Sequence, residues 1–384
     1  MKHIFDFIVP LLSHNAVSNI GLYSLYVSSS ILYDYYTNLI FMKKKPKIKI
    51  IPTPYDFNES IGCLLRMVIG PSTKNPLGIK FIDKKCRLNS IEKKVTIGFV
   101  GDILGLSGRS LQLAPDLKEF IKGCDVIVGN LETTITHQRL LGLTWKHFSW
   151  KQDETIVDAL KQLSAPDRLY LSIANNHSGD FGESGCRASS SILTAQGIHV
   201  FGFKDNPFTD IHQNIRIWTG TMWSNMICDH VAEFDDLNTI GNRQIMASHT
   251  GTANDGIHYN ICFPHWGYEM ELFPRQAIVD KGRLLLEQYD MVIGHHPHVP
   301  QPIVGQNINS VNKLIAYSLG DFSFGSNIEK YLYGEVITVD IGPNSEGKWL
   351  AGNVNWSFTK CVPINKHEAL ISLVERTAFH PEQK

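Results

Sequence analysis

The sequence predicts an α/β fold, in which the strands of a buried sheet alternate with helices. Apolar, β-branched runs of strand length recur from residue 95 onward, and each of them stops at polar residues. Helix-like stretches lie between several of these runs, at 155–163, 184–196 and 275–288. Because strands and helices that alternate along a chain build sheets with helices on both faces, we expect one α/β domain.

The strands can be assigned in chain order. The six apolar runs predicted to be strands are 95–100, 125–128, 169–174, 259–263, 291–293 and 313–317. A further pair, 336–341 and 354–358, is predicted to be antiparallel because Gly, Pro and Asn residues lie between the two runs. The stretch 204–256 has many polar residues and little periodicity, which indicates a long excursion or a strand-rich insertion.

Composition limits the function classes. The chain has 384 residues, with 36 Lys+Arg against 37 Asp+Glu and 43% hydrophobic residues, which is typical of a globular protein. The formal net charge of −1 disfavours a nucleic-acid-binding role. The 7 cysteines are an odd number without a C-x-x-C pair, so we expect reduced, mostly buried thiols.

Residues 1–94 differ from the rest. Residues 7–33 carry no charged side chain, and five lysines follow between Lys43 and Lys49. This pattern could indicate a membrane anchor with a basic flank, but Pro10 and several polar residues interrupt it. Asp6 also argues against a signal peptide. We therefore predict an N-terminal appendage at 1–94, a main domain at 95–365 and a C-terminal tail at 366–384. The protein is expected to be soluble, with peripheral membrane association as the alternative.

Polar groups follow each of the six predicted strands. The sequences just past their ends are GD at 101–102, GNLE at 129–132, NNHSGD at 175–180, PHWGYE at 264–269, GHHPH at 294–298 and SLGDF at 318–322. Because ligands bind at the carboxyl ends of strands in open α/β sheets, these side chains are expected to converge. A mixed set of carboxylate, amide and imidazole donors favours Mn, Fe or Zn over Ca or Mg.

Each of these signals is weak by itself. One H-x-H is expected by chance roughly once in a chain with this many histidines, and a lone Asp after a strand is more often a cap or turn residue. The two adjacent asparagines, Asn175 and Asn176, could be turn formers. The occurrence of all six signals in order, at successive strand ends, favours a metal site.

These same residues resemble the CapA family, the poly-γ-glutamate capsule biosynthesis proteins with a metallophosphatase-like (calcineurin-like phosphoesterase) domain. The resemblance extends from about residue 95 to residue 325 and includes none of residues 1–94. It implies a four-layer α/β/β/α sandwich of two facing sheets. The motifs that carry it are VGD at 100–102, GNLET at 129–133, ANNHSGDFG at 174–182, HWGYE at 265–269, GHHPHV at 294–299 and YSLGDFSF at 317–324.

The resemblance also implies roles for individual residues. It makes one or two divalent metal ions (Mn, Fe or Zn) the expected cofactor. His177 would act on the substrate or on the leaving oxygen with Asp180 beside it, and Asp180 and Asp321 would orient imidazoles. Glu132 would bridge two metals. The implied metal ligands are Asp102, Glu132, Asn176, His265, His296 and His298.

The sequence departs from the family pattern at three positions. The wider superfamily has D-x-H at the first motif, where this chain has Leu104. Asp321 stands where related chains usually have Asn, and HFSWKQ at 147–152 lacks an expected arginine. These departures concern the efficiency of phosphatase chemistry more than the fold.

Three functions remain open from the sequence. The first is a metal-dependent hydrolase of phosphoesters or related bonds, linked to a capsule or cell-envelope polymer. The second is a non-catalytic component of a capsule synthesis or export complex that binds an anionic polymer. The third is metal-dependent amide chemistry on γ-linked glutamate. The expected partners are an anionic polymer or phosphoester substrate, without nucleic acid, and contact with a membrane or a capsule complex is a further expectation.

Overall fold

Two large β-sheets form the framework of the protein. The computed structural model describes residues 54–138, 150–226, 228–237 and 256–380. The first sheet contains β1 (Lys85–Arg87), β2 (Val95–Ile103), β3 (Ser110–Leu113), β4 (Val126–Leu131), β7 (Leu169–Ser172), β8 (His199–Phe201), β15 (Asp321–Ser323), β16 (Tyr333–Pro343), β17 (Trp349–Pro363) and β18 (Glu368–Val374). The second contains β9 (Phe208–His212), β10 (Ile215–Thr221), β11 (Tyr259–His265), β12 (Met291–Ile293), β13 (Pro300–Ile308) and β14 (Val311–Leu319). A short ladder joins β5 (Thr134–Ile135) to β6 (Lys151–Gln152).

Parallel strands occupy the centre of each sheet. The order in the first sheet is β3-β18-β17-β16-β2-β4-β7-β8, with β1 on β17 and β15 on β2. Within it, β2, β4, β7 and β8 are parallel. The order in the second is β13-β14-β12-β11-β10-β9, with β10, β11, β12 and β14 parallel. The carboxyl ends of the parallel strands therefore deliver their loops to one edge of each sheet.

Six α-helices accompany the sheets in the described part of the chain. They are α1 (Phe57–Ile69), α2 (Pro115–Ile121), α3 (Thr155–Leu160), α4 (Gly182–Ala195), the short α5 (Phe234–Asp236) and α6 (Gln276–Gln288). The helix predicted at 155–163 ends three residues early, at Leu160. None of the helices among these residues has the length and apolar character that crossing a membrane requires.

The hydrophobic core lies on both faces of the sheets. Strands of the two sheets contribute to one shared cluster, in which the rings of Phe99 and Phe263 have centroids 6.3 Å apart. A second cluster joins the first sheet to α2, α3 and α4, and a third joins the second sheet to α6. The structure confirms the α/β class, whereas the four-layer order implied by the family resemblance stays a prediction.

The predicted strands are confirmed as elements. All six runs overlap β2, β4, β7, β11, β12 or β14, and the pair at 336–341 and 354–358 forms the antiparallel ladder of β16 and β17. The stretch 204–256, predicted as an excursion, contributes β9 and β10 to the second sheet. The sequence pattern is weak there because β9 is a half-exposed edge strand.

The chain outside residues 95–365 also contributes structure. The described residues form one compact unit, in which β1 pairs with β17. Strand β18, in the segment predicted as a tail, lies between β17 and β3. The uncharged run 7–33 and the lysines at 43–49 lie outside the described residues. Peripheral membrane contact and the domain boundaries at residues 94 and 365 stay predictions.

Candidate metal centre

The ends of strands from both sheets bring the predicted site residues together. Asp102 is the second-last residue of β2, Glu132 directly follows β4, and His265 is the last residue of β11. Close backbone contact makes this possible, because Asp102 donates its backbone N–H to the carbonyl of Gly320 at 2.8 Å. A side chain at the neighbouring Gly101 would place a Cβ atom only 2.0 Å from that same carbonyl oxygen. Glycine at residue 101 is therefore a steric requirement for the site.

Four overlapping groups of buried side chains have potential metal-ligand atoms within 4.8 Å of one another. Five of the six predicted metal ligands belong to these groups, and Asn176 contacts a member of two of them. The groups are Asp102 with His265 and His295, Glu132 with His265 and His296, Glu269 with His296 and His298, and Asp102 with His298 and Asp321.

Glu132 is the carboxylate without a hydrogen-bond partner at this cluster. Its side chain is fully buried, and neither of its oxygens has a hydrogen-bond partner among the described residues. Oε1 lies 3.6 Å from His265 Nε2 and 3.7 Å from His298 Nε2. Burial and then the charge of Asp102 raise the pKa of Glu132 well above its ordinary value. Such a carboxyl group is stabilised when a cation binds beside it.

Asp102 is held on both oxygens. Oδ1 accepts a hydrogen bond from Asn130 Nδ2 at 2.7 Å, and Oδ2 accepts one from the backbone N–H of His296 at 3.0 Å. Each carboxylate oxygen has a second lone pair, so these bonds fix the orientation of Asp102 without exhausting its capacity to bind a metal.

His265 connects the two sides of the cluster. Its Nε2 lies 2.7 Å from Asn176 Oδ1, and its Nδ1 lies 2.8 Å from Nδ1 of His295. Burial and then the neighbouring histidines keep the pKa of His265 well below its ordinary value. Burial likewise lowers the pKa of His295 to about 4 and that of His296 well below its usual range. Neutral imidazoles are the form that metals bind.

His298 is the exception among these histidines. Its Nδ1 lies 2.8 Å from Asp321 Oδ1. Burial opposes its charge, but the carboxylates of Asp321 and Glu132 outweigh burial and raise the pKa of His298 well above its ordinary value. Burial raises the pKa of Asp321 to about 7, and the nearby His298 partly offsets this. Asp321 therefore orients His298 through the ring nitrogen that it contacts.

The histidine loop has a strained backbone. His296 has φ of 106° and His298 has φ of 57°, in the left-handed region that side chains other than glycine rarely adopt. Strain of this kind persists only where the surrounding contacts impose it, and it concentrates at functional sites. Here the backbone hydrogen bond from His296 to Asp102 is one such contact.

His177 and Asp180 form a buried pair beside the cluster. His177 Nδ1 lies 2.7 Å from Asp180 Oδ2, which also accepts the backbone N–H of Trp150 at 2.8 Å. The indole of Trp150 stacks on the imidazole at 3.9 Å. On the other side, Nε2 of His177 lies 3.3 Å from Asn225 Nδ2, and the same amide contacts Asn176 at 3.1 Å. The structure thus places both predicted catalytic residues in contact with each other and next to a predicted ligand.

Sequence reasoning missed several residues that the structure brings to the site. Asn130 and His295 lie within the quoted motifs, and their position directly at strand ends was an available signal. Glu269 ends the HWGYE motif and joins His296 and His298 in one of the four groups. Asn225 and Tyr55 lie in segments without a recognisable pattern, so only tertiary structure identifies them.

The donor set fits a divalent metal. Several ligand atoms of the four groups are buried and have no hydrogen-bond partner in the described part of the chain. These atoms are Glu132 Oε1 and Oε2, His295 Nε2, His296 Nδ1 and Asp321 Oδ2. Nitrogen and oxygen donors in this proportion suit Mn, Fe or Zn. Leu104 is fully buried and provides no donor, so the group at Asp102 draws instead on His265, His295, His298 and Asp321.

Comparison with known proteins identifies the family. The sequence profile described as "Bacterial capsule synthesis protein PGA_cap" matches residues 96–326. The chain is similar to "PGA biosynthesis protein CapA" of Bacillus subtilis (strain 168), with 22% identity over 309 residues, covering 74% of this chain and 75% of that protein. It is also similar to "Capsule biosynthesis protein CapA" of Bacillus anthracis, with 25% identity over 265 residues and 60% of each chain covered. Since the profile matches more than half of the chain, this protein belongs to the family of bacterial capsule synthesis proteins described as PGA_cap.

Proposed function

We propose that this protein is a metal-dependent hydrolase of phosphoesters or related bonds that acts in the synthesis of a capsule or cell-envelope polymer. The single observation that carries the proposal is the buried carboxylate of Glu132. Both of its oxygens lack hydrogen bonds among the described residues, and two imidazole nitrogens lie within 3.7 Å of it. A buried carboxylate without hydrogen-bond partners is costly unless it binds a ligand.

The residues that would hold the metal are Asp102, Glu132, Asn176, His265, His296 and His298, with His295, Glu269 and Asp321 as neighbours. A divalent metal bound there would polarise a phosphoryl or carbonyl oxygen of the substrate. Asn130 and Asp321 hold Asp102 and His298 in fixed orientations, which lowers the reorganisation that binding requires.

His177 would handle the proton in the reaction. Asp180 contacts Nδ1, so a neutral His177 carries its proton on Nδ1 and presents Nε2 toward Asn225. In the charged form, Nε2 becomes a donor that can protonate a leaving oxygen. Trp150 covers one face of the ring and restricts its motion. His177 would thus act as the general acid, and Asp180 would keep it in position.

The substrate in this proposal is anionic and belongs to the capsule-polymer context of the family. Two alternatives use the same cluster. Leu104 at the D-x-H position favours a protein that binds an anionic polymer without turnover, because it removes one ligand from the superfamily pattern. Amide chemistry on γ-linked glutamate would use the polarised oxygen of a carbonyl group instead of a phosphoryl group.

Turnover assays with defined metals test the proposal. Purified protein with Mn²⁺ is expected to hydrolyse generic phosphoesters, and the double variant His296→Ala, His298→Ala is expected to lose this activity. Absence of turnover above that of the double variant would contradict the hydrolase. Retained binding of polyglutamate by a protein with almost no metal would support the binding component. Release of glutamate from γ-linked oligomers, with no phosphoester turnover, would support amide chemistry.

A further inference from the structure

A tyrosine from outside the family match reaches the metal cluster. Tyr55 is 8% exposed, and its hydroxyl oxygen lies 2.8 Å from Nε2 of His296. The same oxygen accepts the backbone N–H of Glu269 at 3.1 Å. The family profile begins at residue 96, so nothing in the motif pattern assigns a role to Tyr55.

The segment that carries Tyr55 is attached to the loop that follows β11. Helix α1 begins directly after Asp56, whose side chain accepts the backbone N–H of Glu59 at 2.9 Å. Arg66 in this helix donates from Nε to the carbonyl oxygen of Glu269 at 2.8 Å. Cys63 donates from its thiol to Glu269 Oε2 at 3.4 Å. Tyr55 and α1 therefore contact the loop next to the cluster at several points.

The contact with Tyr55 distinguishes the two ring nitrogens of His296. Nε2 is engaged by the tyrosine hydroxyl, whereas Nδ1 is buried and has no hydrogen-bond partner in the described structure. An imidazole that binds a metal through one nitrogen carries its proton on the other, and that proton needs an acceptor. A hydroxyl oxygen has two acceptor lone pairs, so Tyr55 can accept from Glu269 N–H and from His296 Nε2–H together.

We propose that Tyr55 is a positioning residue of the metal centre, which holds His296 so that Nδ1 is its metal-coordinating atom. This inference rests on the proposed metal-dependent function. It assigns a role in the proposed metal centre to a residue of the N-terminal region. In this arrangement, residues before the family motifs complete the metal centre instead of serving only as an attached segment.

Metal-binding measurements on the full chain test the inference without an activity assay. Tyr55→Phe removes the hydroxyl and keeps the ring, and we expect Mn²⁺ affinity measured by titration calorimetry to fall by about 10–100-fold. Tyr268→Phe is the matched control, since this ring stacks near Tyr55 but its hydroxyl makes no hydrogen bond within the described residues. The control variant should bind Mn²⁺ as the wild type does.

A second control separates positioning from a general structural role. Asp56→Ala removes the cap of α1 and leaves the Tyr55 hydroxyl in place. If Tyr55 served only to anchor α1, Asp56→Ala would lower Mn²⁺ affinity as much as Tyr55→Phe, and this result would overturn the inference. Thermal unfolding of each variant without metal reports whether it is folded.

A spectroscopic measurement on the wild type needs no variant. With ¹⁵N-labelled histidine and Zn²⁺, the His296 signals are expected to show a metal-bound Nδ1 and a protonated Nε2, whereas coordination through Nε2 would overturn the inference. Wild-type Mn²⁺ affinity in Tyr55→Phe would also overturn it and leave the proposed function intact. If the wild type bound neither Mn²⁺ nor Zn²⁺, the proposed function would fail and the role of Tyr55 would fail with it.

Discussion

Replacement of Glu132 by glutamine should change stability in opposite directions without and with metal. In the metal-free protein the side chain is fully buried, neither oxygen has a hydrogen-bond partner among the described residues, and its charge would lie close to that of Asp102. A neutral amide removes the cost of ionising a buried group. One uncompensated buried charge costs about 3 kcal/mol, so Glu132→Gln should raise the free energy of unfolding by up to about this amount at pH 8 in a chelator.

The melting temperature converts this free energy into a measurable shift. With an unfolding entropy of about 2.1 cal/mol/K per residue over roughly 300 residues, 1 kcal/mol corresponds to about 1.6 °C, so an increase of up to about 5 °C is expected in EDTA. Metal should then reverse the order of the two proteins. A ligand at 100 times its dissociation constant stabilises the folded state by about 2.7 kcal/mol, and the variant should gain much less because it lacks a carboxylate ligand.

Glu335→Gln provides a matched control. Glu335 is also fully buried, its oxygens have no hydrogen-bond partner in the part of the chain that the structure describes, and burial raises its pKa well above the ordinary value. It belongs to none of the four ligand groups. Its variant should therefore be more stable than the wild type in EDTA and gain as much from Mn²⁺ as the wild type does. A Glu132→Gln protein that melts below the wild type in EDTA, or gains equally from Mn²⁺, would refute the reasoning.

Three further variants test separate features of the structure. Asp180→Asn should lower kcat by about 100-fold with little change in KM, since it removes the carboxylate that orients His177; an unchanged kcat would exclude that role. Burial lowers the pKa of His380 to about 4 from 6.5, so its contribution to stability is present above pH 6.5 and is lost as pH falls toward 4. His380→Phe should make urea unfolding less acid-sensitive by about 3 kcal/mol across that range, and parallel pH profiles would contradict this. Gly101→Ala should destabilise by about 3 kcal/mol or more in urea, because its Cβ would lie 2.0 Å from the Gly320 carbonyl oxygen. Gly123→Ala, which has open space around its Cβ, should stay within about 0.5 kcal/mol of the wild type, and an equal loss in both would argue against the steric explanation.

The central strands were predictable from sequence because strands that are buried on both faces consist of nearly continuous apolar residues. Strands β2, β4 and β11 are buried at every residue, and Asp102, Glu132 and His265 lie at or directly past their carboxyl ends. The edge strand β9 escaped prediction because its residues are partly exposed and alternate irregularly. Strand β18 escaped prediction because most of its residues are only partly buried, so its sequence lacks a continuous apolar run.

The sequence by itself determined the α/β class, the family and the strand ends at which the candidate ligands occur. These properties are local, since they depend on apolar runs and on the residues that follow them. Only the tertiary structure decided which donors from residues far apart in the chain share one buried volume. Tyr55 and His296 are 241 positions apart, and Cys63 and Glu269 are 206 apart. Pairings at such distances depend on how sheets and loops pack, for which a single sequence contains no periodic signal.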